Sequence, residues 1–284
     1  MTKKDYNQYI GFSLLHVCVG FVLLILGIML WDIFTKGSGV INWEFLSEAP
    51  RKGMTEGGIF PAILGTFYVT VITALLSIPL GMGCAIYLNE YAKDSYLTRI
   101  IRMSIRNLSG VPSIVYGLFG VVLFVQLMAF DTSILSSGLT LGLMTLPWTI
   151  TASEEALKGV PHAYRDASLA LGATKWQTIR TNVLPYAIPG MLTGAILGLS
   201  RAAGETAPIL FTGAAFFLPF TPKALSDQFM ALPYHLYIMS TQHHAIDKVQ
   251  PIAYGTALVL IALIFIMNFV AIFMRYKLRK VKIE

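Results

Sequence analysis

Charge is what this sequence has least of. Only 13% of its 284 residues are Asp, Glu, Lys or Arg, against roughly 25% in an ordinary soluble domain, so the chain cannot clothe a water-soluble surface. Cysteine is almost missing as well. Cys18 and Cys84 both fall inside apolar runs, which argues against a disulfide framework or a thiolate metal site. No G-x-x-x-x-G-K-[ST] occurs, so the chain has no phosphate-binding loop and cannot hydrolyse ATP by that route. Gly81-Met-Gly-Cys-Ala-Ile86 lacks a third glycine and reads as a helix kink. His235, His243 and His244, with Asp247, lack H-x-x-x-H or H-E-x-x-H spacing. The outward stretch 219–250 that carries them is therefore expected to be a solvated loop, not a metal centre.

Apolar sequence fills the space. Hydrophobic residues make up 55% of the chain and the mean hydropathy is +0.66, which excludes disorder. Charge-free runs cover 6–31, 57–89, 107–130, 132–153, 181–200, 206–222 and 249–274. Crossing a bilayer takes about 20 apolar residues. Only Arg201-Ala-Ala-Gly-Glu205 separates the fifth run from the sixth, so 186–218 reads as one span with internal charges, broken near Gly204 and Pro208. The expectation is an all-α integral membrane protein of six transmembrane helices. Lys3-Lys4 ahead of the first run resembles a signal peptide, but the run is too long and no cleavage site follows. An uncleaved helix is expected there.

Fifteen of the 21 Lys and Arg lie at the two ends and in the loops near 91–106 and 154–180, and five lie on the other side. This bias places both termini in the cytoplasm. The net charge of +6 then reflects topology and anionic lipid headgroups, with no nucleic acid implied. Residues 35–58 read as a polar outward connector. Pro79-Leu-Gly-Met-Gly83 should kink or widen the second helix near its inner end. Gly190, Gly194 and Gly198 form a small-residue face on the fifth helix, suited to close packing within the chain or against a second subunit. Trp31, Trp43, Trp148 and Trp176 read as interface anchors or packing residues.

Two segments carry more information. Charges at membrane depth cost several kcal/mol unless they are paired or wetted. With a helix starting near Tyr186, Arg201 lies about 22 Å along it, past the midplane towards the outside. Arg201 and Glu205 share a face at i, i+4. They read either as a structural ion pair or as a planar donor set for an oxyanion, moderated by a carboxylate so that the anion can leave. The polar stretch 154–187 is patterned, with Pro161 suited to a helix start and Gly172 to a helix end. Two short helices about a glycine turn follow, and from the residues alone they could be a surface-lying amphipathic connector.

Asp166-Ala-Ser168, then Gly172, then Asn182-Val-Leu184-Pro185 resembles the EAA loop of ABC-transporter permeases, whose pattern is E-A-A, three residues, G, nine residues, I-x-L-P. It departs at Asp166, Ser168 and Asn182. The first two departures suit a helix-surface contact, and Asn182 loosens an apolar one. Arg201-Ala-Ala-Gly-Glu205-Thr-Ala-Pro208 is similar to the R-A-x-G-E-T-A-P signature of phosphate-transporter permeases, and Gly110-Val-Pro-Ser-Ile-Val-Tyr-Gly-Leu-Phe-Gly120 matches a further segment. The resemblance runs from about Gly58 to the end of helix six and favours the PstA type over the PstC type.

The resemblance implies a type I importer (MetI-like) permease fold in a prokaryotic cell membrane, and a non-catalytic subunit. It divides the chain into an N-terminal helix and outward loop at 1–58, a permease domain at 59–274 with its coupling loop near 154–187, and a basic cytoplasmic tail at 275–284. Asp166, Ala167, Gly172, Ala173, Leu184 and Pro185 would couple to an ATPase. Arg201, Glu205, Thr206 and Thr151 would line the substrate pathway, Thr151 standing where many relatives carry Arg. Expected partners are a PstC-like second permease, a PstB-like ATPase dimer, a PstS-like phosphate-binding protein, phosphate and membrane lipid. ATP and Mg would bind the ATPase, leaving this chain without a cofactor. The alternatives are a permease for another oxyanion, a secondary anion transporter, or an intramembrane enzyme using Glu205 or the outward histidines.

Overall fold

The computed structural model describes residues 3–280. The end of the basic tail, 281–284 with Lys282, lies outside the described residues, as do the side chains of Lys3, Lys4, Lys277, Arg279 and Lys280. Helix α1 (Lys3–Gly37) is apolar on every face, and nothing in its apolar window is buried within the chain, so lipid or another subunit must cover it. It meets the rest at its outer end, where Gly37 lies against the backbone of Tyr254.

The connector that follows is packed rather than merely polar. It holds helix α2 (Trp43–Ser47), capped by the Asn42 side chain, and an antiparallel pair, β1 (Pro50–Arg51) with β2 (Glu56–Gly57). Phe45, Met54 and Ile59 are buried, while Arg51 bridges Glu44 and Glu48, each at 2.7 Å.

Helix α3 (Phe60–Ile86) runs through Pro79 and widens into a π turn at Tyr87–Tyr91. The widening expected at residues 79–83 therefore falls a turn or more later. Helix α4 (Tyr96–Leu108), capped by Ser95, comes next, followed by α5 (Ser113–Gly120), which continues as a π turn to Leu127. The two meet at 104°. The apolar run 107–130 is thus bent between Leu108 and Ser113, and 113–127 is its straight part. Pro112 disfavours helical geometry in the residue before it, and the Tyr116 hydroxyl donates to the Leu108 carbonyl at 2.9 Å to close the elbow.

Helix α6 (Ile134–Lys158) absorbs residues 154–158, which belong to the span rather than to the loop. Helices α7 (His162–Ala170) and α8 (Lys175–Thr178) form the expected pair. A π turn at Ile179–Val183 leads into α9 (Leu184–Ala203). The chain breaks at 204–206 and resumes as α10 (Ala207–Thr212), with Pro208 in its first turn, so the fifth span ends six residues short of 218. Helix α11 (Leu232–Thr241) and the long α12 (Ile246–Lys280) complete the fold. Among the described residues five helices are long and apolar enough to cross a membrane, and six segments are if the bent α4–α5 pair counts as one.

Small residues set the packing, because lipid provides no hydrophobic force between helices. A Cβ on Gly190 would sit 2.9 Å from Ala156 Cβ, one on Gly194 2.1 Å from Ala152 Cβ, and one on Gly198 3.1 Å from Thr145 Cγ2. The glycine face of α9 is therefore spent inside this chain, against α6. Buried Thr66, Thr70, Thr140, Thr145 and Thr149 each donate to the carbonyl one turn back, which hides their hydroxyls in the spans. Ser200 bonds Asn268, and Arg275 donates to Thr193 at 2.7 Å, tying α12 to α9.

Candidate substrate path and coupling surface

Arg201 occupies the last turn of α9. Its neighbours are Gly198, Thr145 and Trp148, which places it level with the middle of α6. Arg201 Nε lies 3.4 Å from Glu205 Oε1. The Arg201 side chain is half exposed while Glu205 is largely covered, so the carboxylate backs the guanidinium and the cation faces outward from the subunit. On its other side, the guanidinium carbon sits 5.1 Å from the Trp148 ring centroid. Trp148 was read as an anchor or packing residue, yet it forms a face of this site. The signal was present in its Leu-Pro-Trp context, but nothing in linear spacing ties residue 148 to 201.

The other two pathway candidates are placed differently. Thr206 is half-buried in the break between α9 and α10, directly after Glu205. Thr151 lies one turn inward of Trp148 on α6, and its hydroxyl donates to the Pro147 carbonyl at 2.8 Å.

On the inner side, α7 and α8 form an exposed pair. Asp166 and Ala167 are exposed on α7, and Gly172 turns the chain with φ +84, a conformation that suits glycine. Ala173 follows at the turn. Thr174 and Gln177 close a reciprocal capping box on α8. Ser168 is not the surface contact expected of it. It is buried, and the Thr178 hydroxyl donates to Ser168 Oγ at 3.0 Å, joining α7 to α8. Leu184 and Pro185 open α9 and are half-buried. Leu171 is 90% exposed, with Tyr164, Leu169 and Trp176 exposed beside it, an apolar surface of the kind that protein contacts use.

Two ion pairs anchor this region, and neither was found from sequence. Arg165 grips Glu90 with Nη2–Oε1 at 2.7 Å and Nε–Oε2 at 3.2 Å, and donates to the Val160 and Leu157 carbonyls. Arg102 on α4 donates to the Leu88 carbonyl at 2.6 Å and faces Glu154 on α6 at 3.6 Å. The end of α3 thus connects α7, α4 and α6. Each pair joins residues far apart in sequence, so no local spacing marks it.

The outward 219–250 stretch is not a solvated loop. His235 and His243 are buried, and His243 Nε2 bonds the Gly53 carbonyl at 2.7 Å. Among the described residues neither ring nitrogen of His235 has a partner, and burial, with His243 adding to it, pushes its pKa down to about 4. Among the described residues no three His, Cys, Asp or Glu side chains gather where a metal could be held.

Comparison with known proteins places the fold. A bacterial alginate ABC transporter solved with its pentasaccharide-bound periplasmic protein matches over 98% of both chains, with TM-score 0.70 and 11% identity. The MetNI methionine ABC transporter, inward facing, matches 76% of this chain and 94% of its own, with TM-score 0.63 and 16% identity. The architecture is that of the membrane subunit of an ABC importer. Residues 77–281 match the model of the binding-protein-dependent transport system inner membrane component, and the chain belongs to that family. Among its relatives, the "Probable ABC transporter permease protein YqgI" of Bacillus subtilis is 33% identical over 95% of each chain. The phosphate transport system permease protein PstA 1 of Mycobacterium tuberculosis is 32% identical over 87% of this chain and 82% of its own. A Methanocaldococcus jannaschii relative, named a "Probable phosphate transport system permease protein PstA", is 34% identical over 80% and 78%. The chain is thus a multi-pass inner-membrane permease.

Proposed function

We propose that this chain is the PstA-type permease of an ATP-driven importer of inorganic phosphate, forming half of the translocation pathway. The observation that carries the reading is Arg201: a permanently charged, half-exposed guanidinium level with the middle of α6, flanked by Trp148 and backed by Glu205. Its planar fork suits an oxyanion. Glu205 lowers the net attraction, so a phosphate arriving there is held loosely enough to move on. Thr206, in the break after Glu205, and Thr151, one turn inward of Trp148, are the further residues expected along this path. The names of the relatives support phosphate as that oxyanion.

In this reading the other half of the path comes from a PstC-like permease. A PstS-like binding protein delivers phosphate on the outer side, and a PstB-like ATPase dimer binds ATP and Mg. The chain itself carries no cofactor and performs no chemistry. Asp166, Ala167, Gly172 and Ala173 present the docking surface, and Leu184-Pro185 joins it to α9. Movement of α7 passes to α3 through Arg165–Glu90.

The test is micromolar phosphate uptake in cells lacking this gene, complemented with wild type or Arg201→Gln, while the tagged chain is checked for a co-purifying ATPase. Uptake restored by wild type alone, with the ATPase retained by both chains, supports the reading. Full uptake by Arg201→Gln overturns the pathway role. Loss of the ATPase with that variant assigns Arg201 to assembly.

A further inference from the structure

We propose that α4 and the inner end of α3 form a binding site for an anionic phospholipid headgroup at the cytoplasmic face of the membrane. Helix α4 is strongly amphipathic. Tyr96, Leu97, Ile100, Ile101, Met103 and Leu108 stand exposed along one broad face, while Arg99, Arg102 and Arg106 recur at helical spacing along another edge. Thr98, Arg102 and Ile105 are the residues turned towards the rest of the chain. A helix with a basic edge and an uncovered apolar face is built to lie in the interfacial plane. The 104° angle between α4 and the short span α5 turns it towards that plane, and the excess of basic residues puts this side in the cytoplasm, where the leaflet is anionic.

The site has a pocket as well as a surface. A cavity of about 340 Å³ opens between the end of α3 and α4, lined by Asn89, Lys93, Asp94, Thr98, Arg99 and Arg102. Arg99 is matched by Asp94 at 2.8 Å and Arg102 by Glu154 at 3.6 Å. Lys93 has no acidic partner among the described residues, so the cavity rim keeps positive charge. A lipid phosphate seated there meets Lys93 and Arg99 while its acyl chains run along Leu97 and Ile101. Neither basic residue belongs to the proposed transport path. The shared chemistry is a phosphate monoanion, and the apolar face beside the cavity selects the lipid over the free ion.

The experiment is native mass spectrometry of the full chain released from nanodiscs of phosphatidylcholine with one-quarter phosphatidylglycerol. Wild type is expected to retain phosphatidylglycerol in preference to phosphatidylcholine. Lys93→Gln/Arg99→Gln should lower that retention by about fivefold for each charge removed, since a basic residue at the surface is worth about 1 kcal/mol. Leu97→Asn/Ile101→Asn should reduce retention of both lipids and leave the preference intact. Equal phosphatidylglycerol retention by wild type and the charge variant overturns the proposal. So does displacement of the lipid by millimolar inorganic phosphate, which would make the cavity a free-anion site.

Discussion

Arg165 and Glu90 stand 75 residues apart in sequence and meet in a two-pronged ion pair, 6% and 15% of whose Glu and Arg side chains remain exposed. One residue lies on the exposed helix α7 and the other at the widened end of the span α3. Removing one partner of a buried pair strands the other charge and costs about 3–5 kcal/mol. Glu90→Gln is therefore expected to detach α7 from α3 and to abolish phosphate uptake. Arg165→Lys, facing an intact Glu90, should lose uptake as well, because an ammonium cannot reproduce the fork. Uptake and ATPase activity of the reconstituted complex check this, with persistent ATPase activity and lost uptake as the expected signature.

Gly172 has open space around it but a φ of +84, so its requirement is conformational. Gly172→Asn should retain more uptake than Gly172→Val, since Asn adopts the left-handed region readily and a β-branched residue does not. The penalty for an ordinary side chain is about 1–2 kcal/mol. Equal activity of the two variants would show that the turn is not what positions α7 and α8.

Close contact between α9 and α6 makes a paired test available. A Cβ on Gly194 would lie 2.1 Å from Ala152 Cβ, so Gly194→Ala should lower the thermal midpoint of the detergent-solubilised chain through overpacking of about 1–3 kcal/mol. Adding Ala152→Gly should recover part of the loss. Strictly additive effects would contradict the contact.

Trp148 predicts a graded series. Its ring lies beside Arg201, and such contacts are worth about 0.5–2 kcal/mol. Trp148→Phe should transport phosphate better than Trp148→Leu, with the change read as an altered apparent KM for uptake at constant abundance of the complex.

Burial of His235 has a pH consequence. Its pKa falls from 6.5 to about 4 in the folded chain, so between those values the unfolded chain binds a proton that the folded one refuses. Stability from this residue is complete above pH 6.5 and is lost as the pH falls towards 4. The thermal midpoint of wild type should drop between pH 7 and pH 5, and His235→Leu should flatten that dependence.

Much of this was legible without coordinates. Runs of uncharged residues marked the spans because hydrocarbon excludes charge wherever it lies, and the asymmetry of Lys and Arg oriented them. Pro161, Gly172 and the patterned stretch between them specified a helix, a turn and a second helix, because caps and left-handed turns are local properties. Arg201 and Glu205 stood out because charge inside an apolar run always needs a reason.

What the sequence could not determine depends on residues that meet only after folding. Whether Gly190, Gly194 and Gly198 face α6 or another subunit was settled by which helix lies beside them, and small side chains permit either. Trp148 joined Arg201, Glu90 joined Arg165 and Arg102 joined Glu154 through the packing of separate spans. The elbow between α4 and α5 bent an apparently continuous run. Local composition fixes which residues enter the membrane, since that depends on each segment's own transfer from water. The partner of each polar group inside is set by the tertiary arrangement, since an ion pair or a close helix crossing is a property of two segments at once.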